Sequence, residues 1–141
     1  MRYFIVVVVS IMAVALSGDI YASDYFGSIQ YKNPADNSIY LVFQTADSKS
    51  FCEKLNKSYI EGLRTTCPNC IIRFSGCDTA LPSAFRGIFN DESMVLPYLS
   101  APYTRIVVYG VEISKAIEIC QDMALRWRRG MNQPARCILP P

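Results

Sequence analysis

Chemistry in this chain of 141 residues must come from thiols, carboxylates, guanidiniums and aromatic rings, because it has six cysteines and no histidine. Cys67 and Cys70 form a CPNC pair. A redox pair of this spacing needs its first thiol acidified, normally at a helix N-terminus that follows a strand. Here the pair follows a helical stretch and precedes a strand-like one. The nearby helix end is then the carboxyl end, whose partial negative charge raises a thiol pKa. CPNC therefore reads as a structural clip, with thiol–disulfide exchange as the alternative. The lack of histidine excludes Ser-His-Asp and Cys-His nucleophiles and removes the commonest metal ligand. A four-cysteine zinc site would want a second CxxC, and none is present. The sequence thus holds no catalytic constellation, and no metal or cofactor is expected.

Two groups of residues could instead bind a ligand. Phe85, Arg86, Phe89, Tyr98 and Tyr103 lie in or beside one long connection, with Asp78, Asp91 and Glu92. Sugars stack on aromatic faces and hydrogen-bond to carboxylates. A glycosidase would need two separately placed carboxylates, and the adjacent Asp91 and Glu92 point apart on most backbones. Arg126, Arg128 and Arg129 flank Trp127 at a helix end, which suits an anionic glycan, lipid or protein. The bland readings are that the aromatics pack the connection onto a sheet, and that the arginines complement the helix dipole while Trp127 fills the core. Asn56-Lys57-Ser58 matches a glycosylation sequon. It falls on a helical stretch and is read as a chance match.

The amino end sets the expected compartment. Met1-Arg2 is followed by an almost unbroken apolar run, Tyr3 to Leu16, then Ser17-Gly18-Asp19. This is the layout of a secretory signal peptide. Residues 1–22 are expected to be removed after Ala22, with cleavage after Ser17 as the second choice. The run is shorter than the ~20 residues of a membrane span, so an uncleaved anchor is the minor alternative and no stable span is expected after cleavage. No cysteine lies near the cleavage region to carry a lipid. Export to the periplasm or beyond suits an even number of cysteines paired as disulfides. The net charge of +2 is too mild to imply a nucleic acid partner.

The rest, 24–141, reads as one domain. Asp24 to Tyr31 is a short strand or a loose start, and KNPADN (32–37) is turn chemistry. SIYLVFQ (38–44) is a buried strand. Asp47 is a candidate N-cap for a helix whose inner face carries Cys52, Leu55, Tyr59 and Leu63. CIIRFS (70–75) is the returning strand. Residues 76–103 form a long insertion between the second and third strands, containing a short helix from Pro82. Connections this long are usually functional or packed as a cover. TRIVVY (104–109) is a strand. Ser114 caps a helix with Ile113, Ile117, Cys120, Ala124 and Trp127 inside, and ARCIL (135–139) is an edge strand.

Element rises predict how the cysteines pair. A helix rises ~1.5 Å and a strand ~3.3 Å per residue. Counted from their shared turns, Cys52 and Cys77 lie ~19 Å and ~23 Å along, and Cys120 and Cys137 ~14 Å and ~10 Å. Each pair comes level within the ~4.4–6.8 Å between Cα atoms that a bridge spans. The expected set is Cys52–Cys77, Cys120–Cys137 and Cys67–Cys70.

Strand, helix and strand therefore occur twice, at 39–74 and 104–139. The expected fold is α+β: a ferredoxin-like βαββαβ sandwich, stabilised by disulfides, with two helices on one face of an antiparallel sheet. RIVVYGVEISKAIEICQDMALRW with ARCIL as its returning strand resembles the SPOR family of cell-envelope domains, in its strand, its glycine near the strand end, its capped helix and its second strand. That resemblance implies binding of peptidoglycan glycan strands. It leaves residues 76–103 and the six cysteines unmatched. The functional expectation is an exported, non-enzymatic binding or assembly module of the bacterial envelope, with a glycan or an envelope protein as its partner.

Overall fold

A computed structural model describes residues 24–141; the expected signal peptide, 1–22, lies outside them. The strands are β1 (Tyr25–Lys32), β2 (Ile39–Ala46), β3 (Ile71–Asp78), β4 (Tyr98–Ala101), β5 (Thr104–Tyr109) and β6 (Arg136–Ile138). The helices are α1 (Lys49–Thr66) and α2 (Ile113–Met131). All strands join one antiparallel sheet in the order β3-β1-β2-β5-β4-β6.

The α+β class and the antiparallel sheet are as expected, but the strand order is not βαββαβ. Each half is a ββαβ unit. A hairpin comes first (β1-β2, then β4-β5), the helix follows, and the last strand returns to pair with the hairpin's first strand. In a ferredoxin-like fold the strand between two parallel neighbours comes from the other repeat; here each repeat supplies its own. Asp24–Tyr31, read as a strand or a loose start, is therefore the inner strand β1. The insertion is also shorter than expected. β3 runs to Asp78 and β4 begins at Tyr98, so only 79–97 connects them.

Pleat alternation explains the layers. Tyr40, Val42, Ile106 and Val108 point to one face, where α1 and α2 pack over a shared core with Ile29, Leu63, Leu99, Cys120 and Ala124. Phe43, Val107 and Tyr98 point to the other, where Ile88, Phe85 and Phe89 from the connection cover them. The connection is thus a third layer. The expected helix at Pro82 is two single 3₁₀ turns, Ser83–Phe85 and Ile88–Asn90.

Helix details differ from the reading in local ways. Ser48, not Asp47, caps α1, its Oγ accepting from Phe51 N at 3.2 Å. The buried positions of α1 are Cys52, Asn56 and Leu63. In α2, which starts before Ser114, they are Ala116, Cys120 and Ala124, and Ile113 is exposed. Small residues face the sheet because α2 crosses β4 and β5 closely. The larger Ile119, Met123 and Trp127 fill the flanks.

The cysteines form three disulfides. Cys52–Cys77, Cys67–Cys70 and Cys120–Cys137 have Cα separations of 6.1, 5.4 and 5.6 Å. The first and third are the pairs that the helix and strand rises bring level, and the second is the CPNC clip. Among the described residues no helix is long and apolar enough to cross a membrane.

Candidate functional site

An open cavity of about 570 Å³ lies between the connection, the β4–β5 turn and the start of β6. Its walls include Phe26, Phe89, Asp91, Tyr103, Arg105 and Arg136. It is built by one unusual turn and one buried cation.

The turn is Pro102-Tyr103, two residues between Ala101 and Thr104, which face each other across the hairpin. Proline fixes φ at the first position, and in a type II turn the second takes positive φ. Glycine or asparagine usually sits there. Here it is Tyr103, at φ 59°. Its carbonyl accepts from Thr45 N at 3.1 Å, which fastens the turn to the end of β2. The residue as a whole is 77% exposed. A large aromatic residue in left-handed backbone with its ring in solvent gains little from packing.

The cation is Arg105, the lone charge in TRIVVY. A charged side chain is rarely buried unless it is paired. Arg105 donates to the carbonyls of Ile88 at 3.1 Å, Ala101 at 2.6 Å and Thr104 at 2.9 Å. Its guanidinium sits over the Phe89 ring, 4.9 Å from the centroid. Asp91 lies 3.2 Å away. This one side chain therefore ties the connection to the hairpin.

Asp91 completes the floor. Its backbone is left-handed, φ 57°. It accepts from Ser100 Oγ at 2.6 Å and from the exposed Arg136 at 3.0 Å. Partial burial pushes its carboxyl up, but the bonds from Ser100 and Arg136 and the charge of Arg105 outweigh that and hold it below the usual carboxylate range. Burial lowers the Arg105 pKa, with Asp91 opposing. Both groups are ionised at neutral pH. Arg136 keeps unused N–H donors on the solvent side.

The residues singled out from sequence part company here. Phe89 and Tyr103 meet in the cavity. Phe85 packs against Phe43, with ring centroids 5.1 Å apart. Tyr98 is 0% exposed, and its hydroxyl donates to Glu92 O at 2.6 Å; burial pushes its pKa up to about 12. It is a core residue rather than a contact surface. Arg86 is exposed and does not line the cavity. Arg126 pairs with Asp122 one turn back at 2.9 Å. Arg128 donates to Ala135 O at 2.7 Å, closing the chain after α2 onto β6. Arg129 is exposed, and Trp127 packs on the core as the bland reading expected. The arginines therefore do not act as one cluster.

Sequence reasoning missed Arg105, Arg136, Phe26 and the role of Asp91. The one available signal was a single arginine in an otherwise apolar strand. It also undervalued Asn56, which is 7% exposed and donates to Gly76 O at 2.8 Å. Its amide nitrogen, the atom a glycan would join, is buried and bonded inside the fold, so the sequon there is no modification site in the folded protein. The Cys67–Cys70 bridge closes the carboxyl end of α1, where Cys67 is the C-cap. The dipole at that end opposes a thiolate.

No protein-family model, no curated protein and no solved structure matches the chain.

Proposed function

We propose that this is an exported binding module of the bacterial periplasm or cell envelope, and that the cavity beside Tyr103 takes a saccharide of an envelope glycan. The observation that carries this is Tyr103 itself: an exposed aromatic ring held by a turn that would fold more easily with glycine. Backbone strain of this kind persists where a side chain's position matters. A sugar ring stacks on such a face through its C–H groups. The neighbouring Asp91 and Arg136 offer the acceptor and donor that adjacent hydroxyls need. Phe26 and Phe89 supply an apolar wall. The disulfides support an oxidising compartment, and the amino-terminal sequence supports export.

The test is co-sedimentation with purified peptidoglycan sacculi, followed by titration with soluble muropeptides. Binding is expected to weaken at least ~10-fold in Tyr103→Ala, the loss of roughly one stacked ring. Sacculi that leave the protein in the supernatant, together with no response to muropeptides, would sink the glycan reading.

A further inference from the structure

The two edges of the sheet are guarded very differently. β6 has three residues, and Pro140 and Pro141 follow close behind. β3 has eight, IIRFSGCD, with no proline or lysine, and among the described residues its outer side pairs with no strand. Short strands, proline, charged side chains and bulges are the usual guards against edge pairing; β3 has a charged bulge at Arg73 and Asp78 at its end, which leaves Phe74–Cys77 between them unguarded. Phe74, half exposed at 50%, and the exposed Ile71 lie along this open edge. A bulge at Arg73 breaks the register, so the regular run is Phe74–Asp78, centred on Gly76.

Beside this edge α1 carries Lys49, Glu53, Lys57 and Glu61, all exposed, four residues apart along one groove wall, with the exposed Arg64 beyond them at the carboxyl end. Alternating charges at this spacing commonly pair along a helix. Here none of the four forms an ion pair among the described residues. The sequence of signs has a further property. Reversed about residue 55, it becomes its own complement: Lys49 meets Glu61, and Glu53 meets Lys57. Asn56 Nδ2 bonds to Gly76 O at 2.8 Å, so the centre of the charge stripe stands level with the centre of the open strand run.

We infer that β3 is the interface for a second copy of this chain, related by a two-fold axis perpendicular to the sheet beside Gly76. Such an axis makes the two β3 strands antiparallel and puts both α1 helices on the same face, also antiparallel. Residues facing each other across it keep the same side of the sheet. Gly76 then opposes Gly76, Ser75 opposes Cys77, and Phe74 opposes Asp78. With strands ~4.8 Å apart and α1 centred over β1, the two helix axes lie ~14 Å apart, within reach of paired lysine and glutamate side chains. One axis thus pairs the open strand and these four charges in each copy, and leaves Arg64 outside the pairing. The cavity beside Tyr103 reaches Phe26 of β1 but is lined by no residue of β3 or α1, and it remains open in both copies.

Sedimentation equilibrium of the disulfide-intact protein tests this. A dimer is expected at low ionic strength, with dissociation as salt rises. Glu53→Lys sets lysine against lysine twice across the axis and is expected to raise the dimer Kd at least ~10-fold. Glu53→Lys combined with Lys57→Glu restores the signs and should return Kd to within ~3-fold of the parent. The site is on an exposed helix face, so folding is not at stake in these variants. A monomer at every concentration and salt overturns the proposal. A dimer with unchanged affinity in Glu53→Lys, or one that the double variant fails to rescue, also overturns it.

Discussion

Single side chains decide most of what is unusual in this protein, and Tyr103 is the sharpest case. Tyr103→Gly relieves the positive φ, so stability should rise by up to ~1 kcal/mol. The ring is lost at the same time, so the proposed ligand should be released. Thermal melts and binding titrations on one sample check both halves of this prediction. A variant that is more stable and binds unchanged removes Tyr103 from the site. Gly27 shows the opposite economy of space. A Cβ built there would meet Asn56 Oδ1 at 2.5 Å. Asn56 is fixed on its other side by Gly76 and cannot withdraw. Gly27→Ala is therefore expected to cost ~1–3 kcal/mol, the range of overpacked core sites, measured by urea unfolding.

Asp91 carries a pH prediction at the same scale. Its folded pKa is depressed, so its contribution to stability is fully present above the ordinary carboxylate range. That contribution is lost as pH falls below ~4 and through the lower folded value. Protonation weakens its hold on Arg105 and Arg136 and loosens the connection from the hairpin. Asp91→Asn should be less stable than the parent at pH 7 and should converge with it in acid. Unfolding curves from neutral to low pH test this; parallel curves with no convergence exclude the assignment.

The disulfides act at the scale of elements. Cys52–Cys77 and Cys120–Cys137 each tie a helix to the strand that follows it, closing separations of 25 and 17 residues. Longer loops restrict the unfolded chain more. Cys52→Ser combined with Cys77→Ser should cost ~2–4 kcal/mol. It should also raise amide exchange in the connection, because Cys77 anchors the end of β3 immediately before residue 79. Non-reducing peptide mapping checks the pairing. A peptide joining Cys52 to Cys120 would contradict the stacking of each helix on its own returning strand. The connection is itself an element-scale device. With no regular secondary structure beyond two 3₁₀ turns, it is held by Ile88, Phe85 and Phe89 under the sheet and by Arg105 through it.

At the scale of the whole molecule, two ββαβ units share one sheet and one core. Tyr40 and Val42 of the first half pack in the same cluster as Val108, Ala116 and Cys120 of the second. The β2–β5 seam lies at the middle of the sheet. Neither unit closes its own core, so a fragment ending at residue 97 is expected to lack a cooperative transition, whereas residues 24–141 should unfold as one unit. Calorimetry of both distinguishes these outcomes. An independently folding first half would mean that the seam is an interface between domains rather than the centre of one.

What the sequence determined alone follows from short-range physics. Periodicity located both helices and the strands at 38–44, 70–75, 104–109 and 135–139, because a residue's face depends only on its neighbours. Fixed rises per residue brought Cys52 level with Cys77 and Cys120 level with Cys137, since each of these bridges closes a helix and a strand joined by one short turn. What the tertiary structure decided is which strands lie side by side. β1, YFGSIQYK, is partly polar and β4, YLSA, is short, and nothing local says that they enter the sheet between two others. The same holds for the site. Arg105, Asp91, Arg136 and Tyr103 are spread over 91–136 and meet only because the β4–β5 hairpin turns beside the start of β6. Their attraction is electrostatic and depends on distance through space, which no spacing along the chain encodes.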